Sequence, residues 1–471
     1  MVTKFPQASK TRKARKAQKT GQDVPRLESL KQLHLNAAGI DIGDEEIWVC
    51  VPEGRDEKAV QRFGTFTCDL LALAAWLKAC GVDTVAMEST SIYWVPLYEV
   101  LEAQGFEVYL VNARDAKNVP GRKTDILDCQ WLQQLHTYGL LRRSFRPQAE
   151  IVELRDLVRH KDELVKHRAS HIQHLQKALH LMNLQLDNVI SDITGTTGMQ
   201  IIRAIVSGER NPQVLAQYRD HRCKNSTAVI AKSLEGNYKP TLVFQLKQNL
   251  ELYDFYTQQL RACEQELEGF YKKWACQLDL ESLPALTNRH NRRPKHHPDY
   301  NLRAYLYGLA GVDLCAIDGL DAVLVQIILS EIGVDMSRWP TEKHFASWLC
   351  ACPMLKISGG KILSHRTRKT TNRAYYALRL AAQSLHHSDS ALGAFFRRMR
   401  ARLGAPKAIT AAAHKLARLI YRMLKDKFEY VDLGADYYEQ KYKARELTKL
   451  QRKAAKLGYK VVPIEDKAFV H

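Results

Sequence analysis

The chain has 471 residues, 45% of them apolar, and its 70 Lys and Arg outnumber 51 Asp and Glu to give a formal net charge of +19. That length holds two or three domains with real cores, and the basic excess points to a polyanion partner, foremost nucleic acid. No apolar run approaches the roughly 20 residues of a membrane span. The ten cysteines are scattered, with Cys350 and Cys352 the only close pair, which argues for reduced thiols and against a zinc site.

Residues 1–20 carry Lys4, Lys10, Arg12, Lys13, Arg15, Lys16 and Lys19 and no acid. With no apolar segment behind it, this stretch does not read as a signal peptide. It is expected to be a disordered basic arm, residues 1–34, that lies on phosphates. The scattered, reduced thiols fit a cytosolic protein.

Residues 35–149 alternate strand and helix. LNAAGIDIG and EEIWVCV predict a two-stranded hairpin and VQRFGTF a third strand. Helical Leu70–Ala79, strand VDTVAME, helical Trp94–Ala103 and strand FEVYLVN follow. A loop with Pro120 and Gly121 then leads into a helix over 124–138. Strands first, then alternation, predicts a three-layer α/β sheet of the RNase H-like kind. In that order Asp41 lies on the first strand, Glu88 ends the fourth, and Asp125 and Asp128 open the helix after the fifth, one turn apart. Each acid alone reads as a solvated surface group. Together, at one edge of one sheet, they form an acidic pocket for divalent metal, Mg²⁺ or Mn²⁺. Two such ions about 3.5–4 Å apart are one way to cut phosphodiester bonds.

From residue 150 the period changes. Positions 151, 154, 158, 161, 165, 168, 172, 175, 179, 182 and 186 carry Ile, Leu, Val, Lys, Val, Arg, Ile, Leu, Leu, Met and Leu, a coiled-coil spacing. Val243, Leu246, Leu250, Tyr253, Leu260, Leu267, Tyr271 and Trp274 form a similar stripe. Residues 150–286 therefore predict a helical insertion with two long helices, either an internal hairpin or a coil between subunits. Residues 287–299 read as a solvated linker, despite His290, His296 and His297. Residues 300–430 predict a mainly helical domain, opening on a helix–hairpin–helix-like segment with Gly319 at a turn whose N–H groups suit a phosphate. In its centre Ser358-Gly359-Gly360 precedes Lys361, His365, Arg366, Arg368, Lys369 and Arg373. The glycines permit close approach to a ligand and the cations suit nucleic-acid phosphates; a plain turn with a solvated basic strand fits the same residues. Residues 431–471 read as a basic tail.

The chain resembles the DEDD transposases of the IS110 family of insertion sequences, in particular its IS1111 group. The resemblance spans about residues 35–430 and rests on Asp41 in GIDIG, Glu88 in AMES, Asp125 and Asp128 in KTDILD, then AIDGLD, SEIG, ISGGK and the long block from NRAYYALRL to KLARLIY. Cys350-Ala351-Cys352-Pro353 departs from the family, which often has Gly before its Cys-Pro or Val-Pro. The resemblance implies a RuvC-like nuclease domain, a coiled-coil region and a transposase domain. Asp41, Glu88, Asp125 and Asp128 would be the metal ligands, with Ser358 the nucleophile ahead of Ser364 and Ser347. It also implies donor and target DNA, a structured bridge RNA that supplies specificity, and a homo-oligomer, dimer or tetramer, with sites shared between subunits.

Three other readings compete. A RuvC-like nuclease or resolvase needs the acids but not Ser358. An ATPase of the actin and sugar-kinase type needs a second Gly-rich phosphate loop, which the sequence lacks, and leaves Asp125 and Asp128 unexplained. A non-catalytic RNA-binding descendant sits poorly with all five residues being present.

Overall fold

In the computed structural model, which describes residues 31–89, 91–112, 125–274 and 297–462 (the side chains of 125 and 126 excepted), β1 (Ala37–Ile42) sorts the N-terminal unit into layers. Side chains alternate along a strand. Ala38, Ile40 and Ile42 enter one core, joined by Ile47 and Val49 of β2 (Ile47–Cys50), Val85 and Met87 of β4 (Thr84–Glu88) and Val108 and Leu110 of β5 (Glu107–Val111). Helices α1 (Thr67–Ala79) and α2 (Trp94–Ala103) cover that core with Leu73, Leu77, Leu97 and Leu101. Ala37, Gly39 and Asp41 take the opposite face, with α3 (Asp125–Thr137). There Ala86 and Val111 pack on Leu132 and Leu135.

With β3 (Val60–Phe63), the strand order is β3-β2-β1-β4-β5. The pairs β1–β2 and β2–β3 are antiparallel, while β1–β4 and β4–β5 are parallel. A mixed sheet in this order with helices on both faces is consistent with an RNase H-like fold. Strand and helix positions follow the sequence expectation closely; residues 1–30, residues 113–124 with the expected loop, and residues 287–296 of the expected linker lie outside the described residues. Leu33 and His34, counted with the arm from sequence, are instead held by hydrogen bonds from their N–H groups to the Thr137 carbonyl.

Chain contacts separate this unit, ending at Arg146, from one beginning at Pro147. In the second unit α4 (Ala149–Leu181) and α8 (Pro240–Trp274) lie antiparallel, since late α4 residues meet early α8 residues. His171 Nδ1 lies 3.0 Å from Asn249 Oδ1, and Lys161 Nζ lies 2.9 Å from Glu264. The apolar stripe is thus buried within one chain, as the internal-hairpin alternative has it. It is not one continuous seam: Val165 is 38% exposed, and the middle is polar, with the His167 and His171 rings stacked on Tyr256. Nor is the segment between the long helices irregular. Helices α5 (Thr196–Val206), α6 (Pro212–Ala216) and α7 (Thr227–Ser233) bring Ile201, Ile205, Leu215 and Ile230 onto Leu175, Leu179 and Leu246.

The rest of this unit is α9 (Leu302–Ala310), α10 (Ala322–Ile332), α11 (Glu342–Trp348), a hairpin of β6 (Lys356–Ser358) and β7 (Lys361–Ser364), α12 (Arg373–Ser384), α13 (Ala391–Leu403), α14 (Ala405–Asp426) and α15 (Gly434–Lys456). Buried Glu331 at the end of α10 ties this layer to α4: both its carboxylate oxygens accept from Arg159 at 2.8 Å, and Arg155 lies 3.5 Å away. Gly319 does turn with φ +88°, but a Cβ there would sit 2.6 Å from the Ala381 carbonyl. It packs on α12. The expected basic tail also contains α15, docked on α13 through the ion pair of Arg398 with Glu439 and on the segment before α13 through an Ala435 N–H to Asp389 carbonyl bond of 3.1 Å.

Candidate functional site

The four acids come from three elements that meet at one end of the sheet. The register Ile40↔Met87 leaves Asp41 and Glu88 as the next residues on two adjacent parallel strands. Both follow the alternation onto the α3 face, as Thr84 and Gly39 do. Helix α3 runs antiparallel to β1: Leu33 reaches the Thr137 carbonyl, and Gly39 lies against Cys129 and Gln133. Two residues beyond Gly39, Asp41 thus approaches the first turn of α3, where Asp128 sits. A Cβ on Gly39 would be 2.2 Å from the Gln133 N and 2.3 Å from the Cys129 O. Only glycine lets the helix lie this close.

The electrostatics agree with that placement. The Cys129 thiol is pushed up to about 12, mostly by burial, then by the neighbouring Cys50 and the Asp41 carboxylate. Asp41 therefore acts on the residue next to Asp128. Glu88 is 9% exposed, and Asp41 and Asp128 are half-buried. Asp125 is the first residue of α3, and its side chain lies outside those described. Among the described residues no three acidic, histidine or cysteine side chains close into a finished metal cage. The set still fits a hard divalent cation in donor chemistry, all carboxylate oxygen, and in converging from three elements. A carboxylate buried as deeply as Glu88 is costly unless charge or donors meet it.

Behind the acids, His136 locks α3 to β4: its Nε2 lies 2.8 Å from Thr84 Oγ1. Burial, then the neighbouring His34, pushes this imidazole down to about 4, so it is neutral.

Ser358 belongs to the second unit. It pairs with Lys361 across β6–β7, and Ile357 pairs with Ile362. Gly359 and Gly360 bridge the strands with φ +54° and +75°. Two successive positive φ values define a type I′ hairpin turn, which demands glycine or asparagine. A Cβ at either glycine would meet nothing within 4 Å. The turn, not a close neighbour, requires them. Ser358 is exposed beside that turn. Ser364 Oγ accepts the Arg366 N–H at 3.3 Å, and the Ser347 carbonyl accepts from Arg368. Lys361, Arg366 and Lys369 are exposed. Arg373, grouped with them in the sequence, is instead ion-paired with Asp162 and lies 3.9 Å from Glu331. Residues 343–388 contain eight Lys and Arg and no Asp or Glu, so this stretch of chain carries only positive charge.

Sequence reasoning passed over Gly39 and His136. Gly39 was detectable as a glycine inside an otherwise apolar strand, a sign of close backbone approach. His136 gave no signal.

Two family models match the chain. The DEDD transposase model of the IS110 type covers residues 38–183. The model described as Transposase IS116/IS110/IS902 family covers residues 313–397. The first span contains Asp41, Glu88, Asp125 and Asp128; the second contains Ser358 and the cations behind it. No curated protein matches the chain.

Proposed function

The chain belongs to the IS110 family of DEDD transposases, and from this premise we propose that it cuts and exchanges DNA strands through the acids of the first unit and a covalent phosphoserine at Ser358, guided by a structured bridge RNA. Transposase activity on DNA follows from the family. The observation that supports the metal-site part of this reading is the convergence of Asp41, Glu88 and the Asp128 turn at one end of the sheet.

DEDD transposases typically use divalent metal, which when bound supplies Lewis-acid polarisation of the scissile phosphate. Asp41, Glu88, Asp125 and Asp128 are the residues we assign to hold it. Ser358 Oγ attacks phosphorus, forming a serine–phosphate bond as the bond to the 3′ oxygen breaks. The serine gives up its proton, and the leaving 3′ oxygen gains one. A free 3′-hydroxyl of the other duplex reverses the exchange and regenerates serine, so no net hydrolysis occurs. Exposed Lys361, Arg366 and Lys369 offset the phosphate charge. Arg368 anchors the hairpin to the end of α11 through the Ser347 carbonyl. The RuvC-like identity of the first unit, a shared site in an oligomer and the use of Mg²⁺ belong to the same reading.

The test is a denaturing gel of labelled DNA incubated with protein, bridge RNA and Mg²⁺. The parent gives a protein–DNA adduct that maps to Ser358. Ser358→Ala and Asp128→Asn both abolish it while binding persists. Free hydrolysed ends from Ser358→Ala would establish the plain nuclease instead.

A further inference from the structure

Helix α15 lies outside both spans matched by the family models. None of its side chains is buried. Its first turns dock on α13 through Tyr438, Glu439 and Tyr442, and the two helices run parallel, because Phe395 meets Tyr438 and Arg398 meets Tyr442. Helix α13 ends at Leu403, whereas α15 continues to Lys456, so its second half projects past its support.

From Lys441, beside the docked Tyr442, to its end the helix is strongly polarised. At 3.6 residues per turn, Lys441, Arg445, Lys449, Arg452, Lys453 and Lys456 fall within an arc of about 120°. All six are exposed. The only acid from Lys441 to Lys456 is Glu446, at the edge of the arc and 2.7 Å from Lys449. Leu447 and Leu450 lie on the other side, with Lys443 the one cation of this stretch outside the arc. Exposed Arg400 and Arg402, in the last turn of α13, add positive charge where the support ends.

The geometry points to this arc as a grip on double-stranded DNA, laid along the major groove and its flanking phosphates, separate from the strand-exchange site. Like charges this close repel one another and destabilise the helix, so an opposing polyanion relieves a cost already present. A helix of about 10–12 Å diameter fits the roughly 12 Å major groove of B-form DNA. The deep, narrow major groove of an A-form RNA duplex does not admit it. From Lys441 to Lys456 the helix spans about 24 Å, or roughly seven base pairs. The inference rests on the chain acting on DNA, but not on Ser358 being the nucleophile.

The test measures binding of the full chain to a short DNA duplex, and to an RNA duplex of equal length, across a salt series. The fourfold variant Lys449→Gln, Arg452→Gln, Lys453→Gln and Lys456→Gln should lower the salt slope on DNA by about 3–4, at about 0.9 per phosphate contact. It should leave RNA-duplex binding unchanged. Leu450→Gln, on the same helix but off the arc, should keep the parental slope, which separates loss of charge from loss of helix. An unchanged DNA slope in the fourfold variant overturns the proposal, as does an equal fall on RNA or an equal fall with Leu450→Gln. The Ser358 adduct, scored separately with the parent, reports on strand exchange alone.

Discussion

Gly39→Ala probes the contact that places α3 against the sheet. The new Cβ would sit 2.2 Å and 2.3 Å from two backbone atoms of α3, where ordinary contact begins at 3.4 Å. The helix must therefore move about 1 Å, because main-chain atoms cannot rotate aside as a side chain would. Overpacking of this kind costs about 1–3 kcal/mol, and two backbone obstacles put this site at the upper end, about 3 kcal/mol. The same movement carries Asp128 away from Asp41 and Glu88. A misplacement of about 1 Å at a reacting centre costs about 10²-fold in rate. Urea denaturation reads the first effect. DNA cleavage at saturating Mg²⁺ reads the second, with Asp128→Asn as the floor. A Gly39→Ala protein as stable as the parent would refute the packing argument. A destabilised one that cleaves at the parental rate would show that the position of α3 does not govern the chemistry.

Buried His136 makes stability depend on pH. Its folded pKa is lowered from 6.5 to about 4, so the unfolded chain binds the proton first. The contribution is complete above pH 6.5 and disappears as pH falls towards 4, at most about 3 kcal/mol; His136→Gln should flatten that part of the profile in pH-resolved denaturation. Glu331→Ala leaves Arg155 and Arg159 facing each other without their shared carboxylate. Loss of one partner of a buried pair costs about 3–5 kcal/mol, and with Arg159 44% exposed the lower end applies; Arg159→Ala should cost under about 1 kcal/mol in the same urea series. Leu175→Glu places charge in a core position of 0% exposure. It should unfold the α4–α8 layer in circular dichroism, whereas a subunit-interface role would lower the sedimenting mass with helix content intact. Gly360→Ala forces a β-carbon into left-handed backbone at about 1–2 kcal/mol. It should slow adduct formation at Ser358 without weakening DNA binding, measured on the same labelled duplex.

The sequence alone specifies the α/β unit and its order, because alternation on β1 and β4 and helical spacing on α1, α2 and α3 are local signals that burial reinforces. It also singled out Asp41, Glu88, Asp125 and Asp128 as acids at element ends, and the glycine pair beside Ser358. What those features face is set by the packing of distant segments. The stripe from Ile151 to Leu186 has the same period whether it packs on its own chain or on another, and α8 running back along α4 is what resolves it. Arg373 is one more cation in a basic run until Asp162, far away in sequence, pairs with it. Gly319 marks a turn by its left-handed backbone, and the Ala381 carbonyl against it adds a need for space. The C-terminal segment reads as a tail because its residues bury nothing, and its helix becomes visible once α13 is present to hold the first turns. Periodicity records which side of an element is apolar; the partner that side meets is a property of the whole chain's packing.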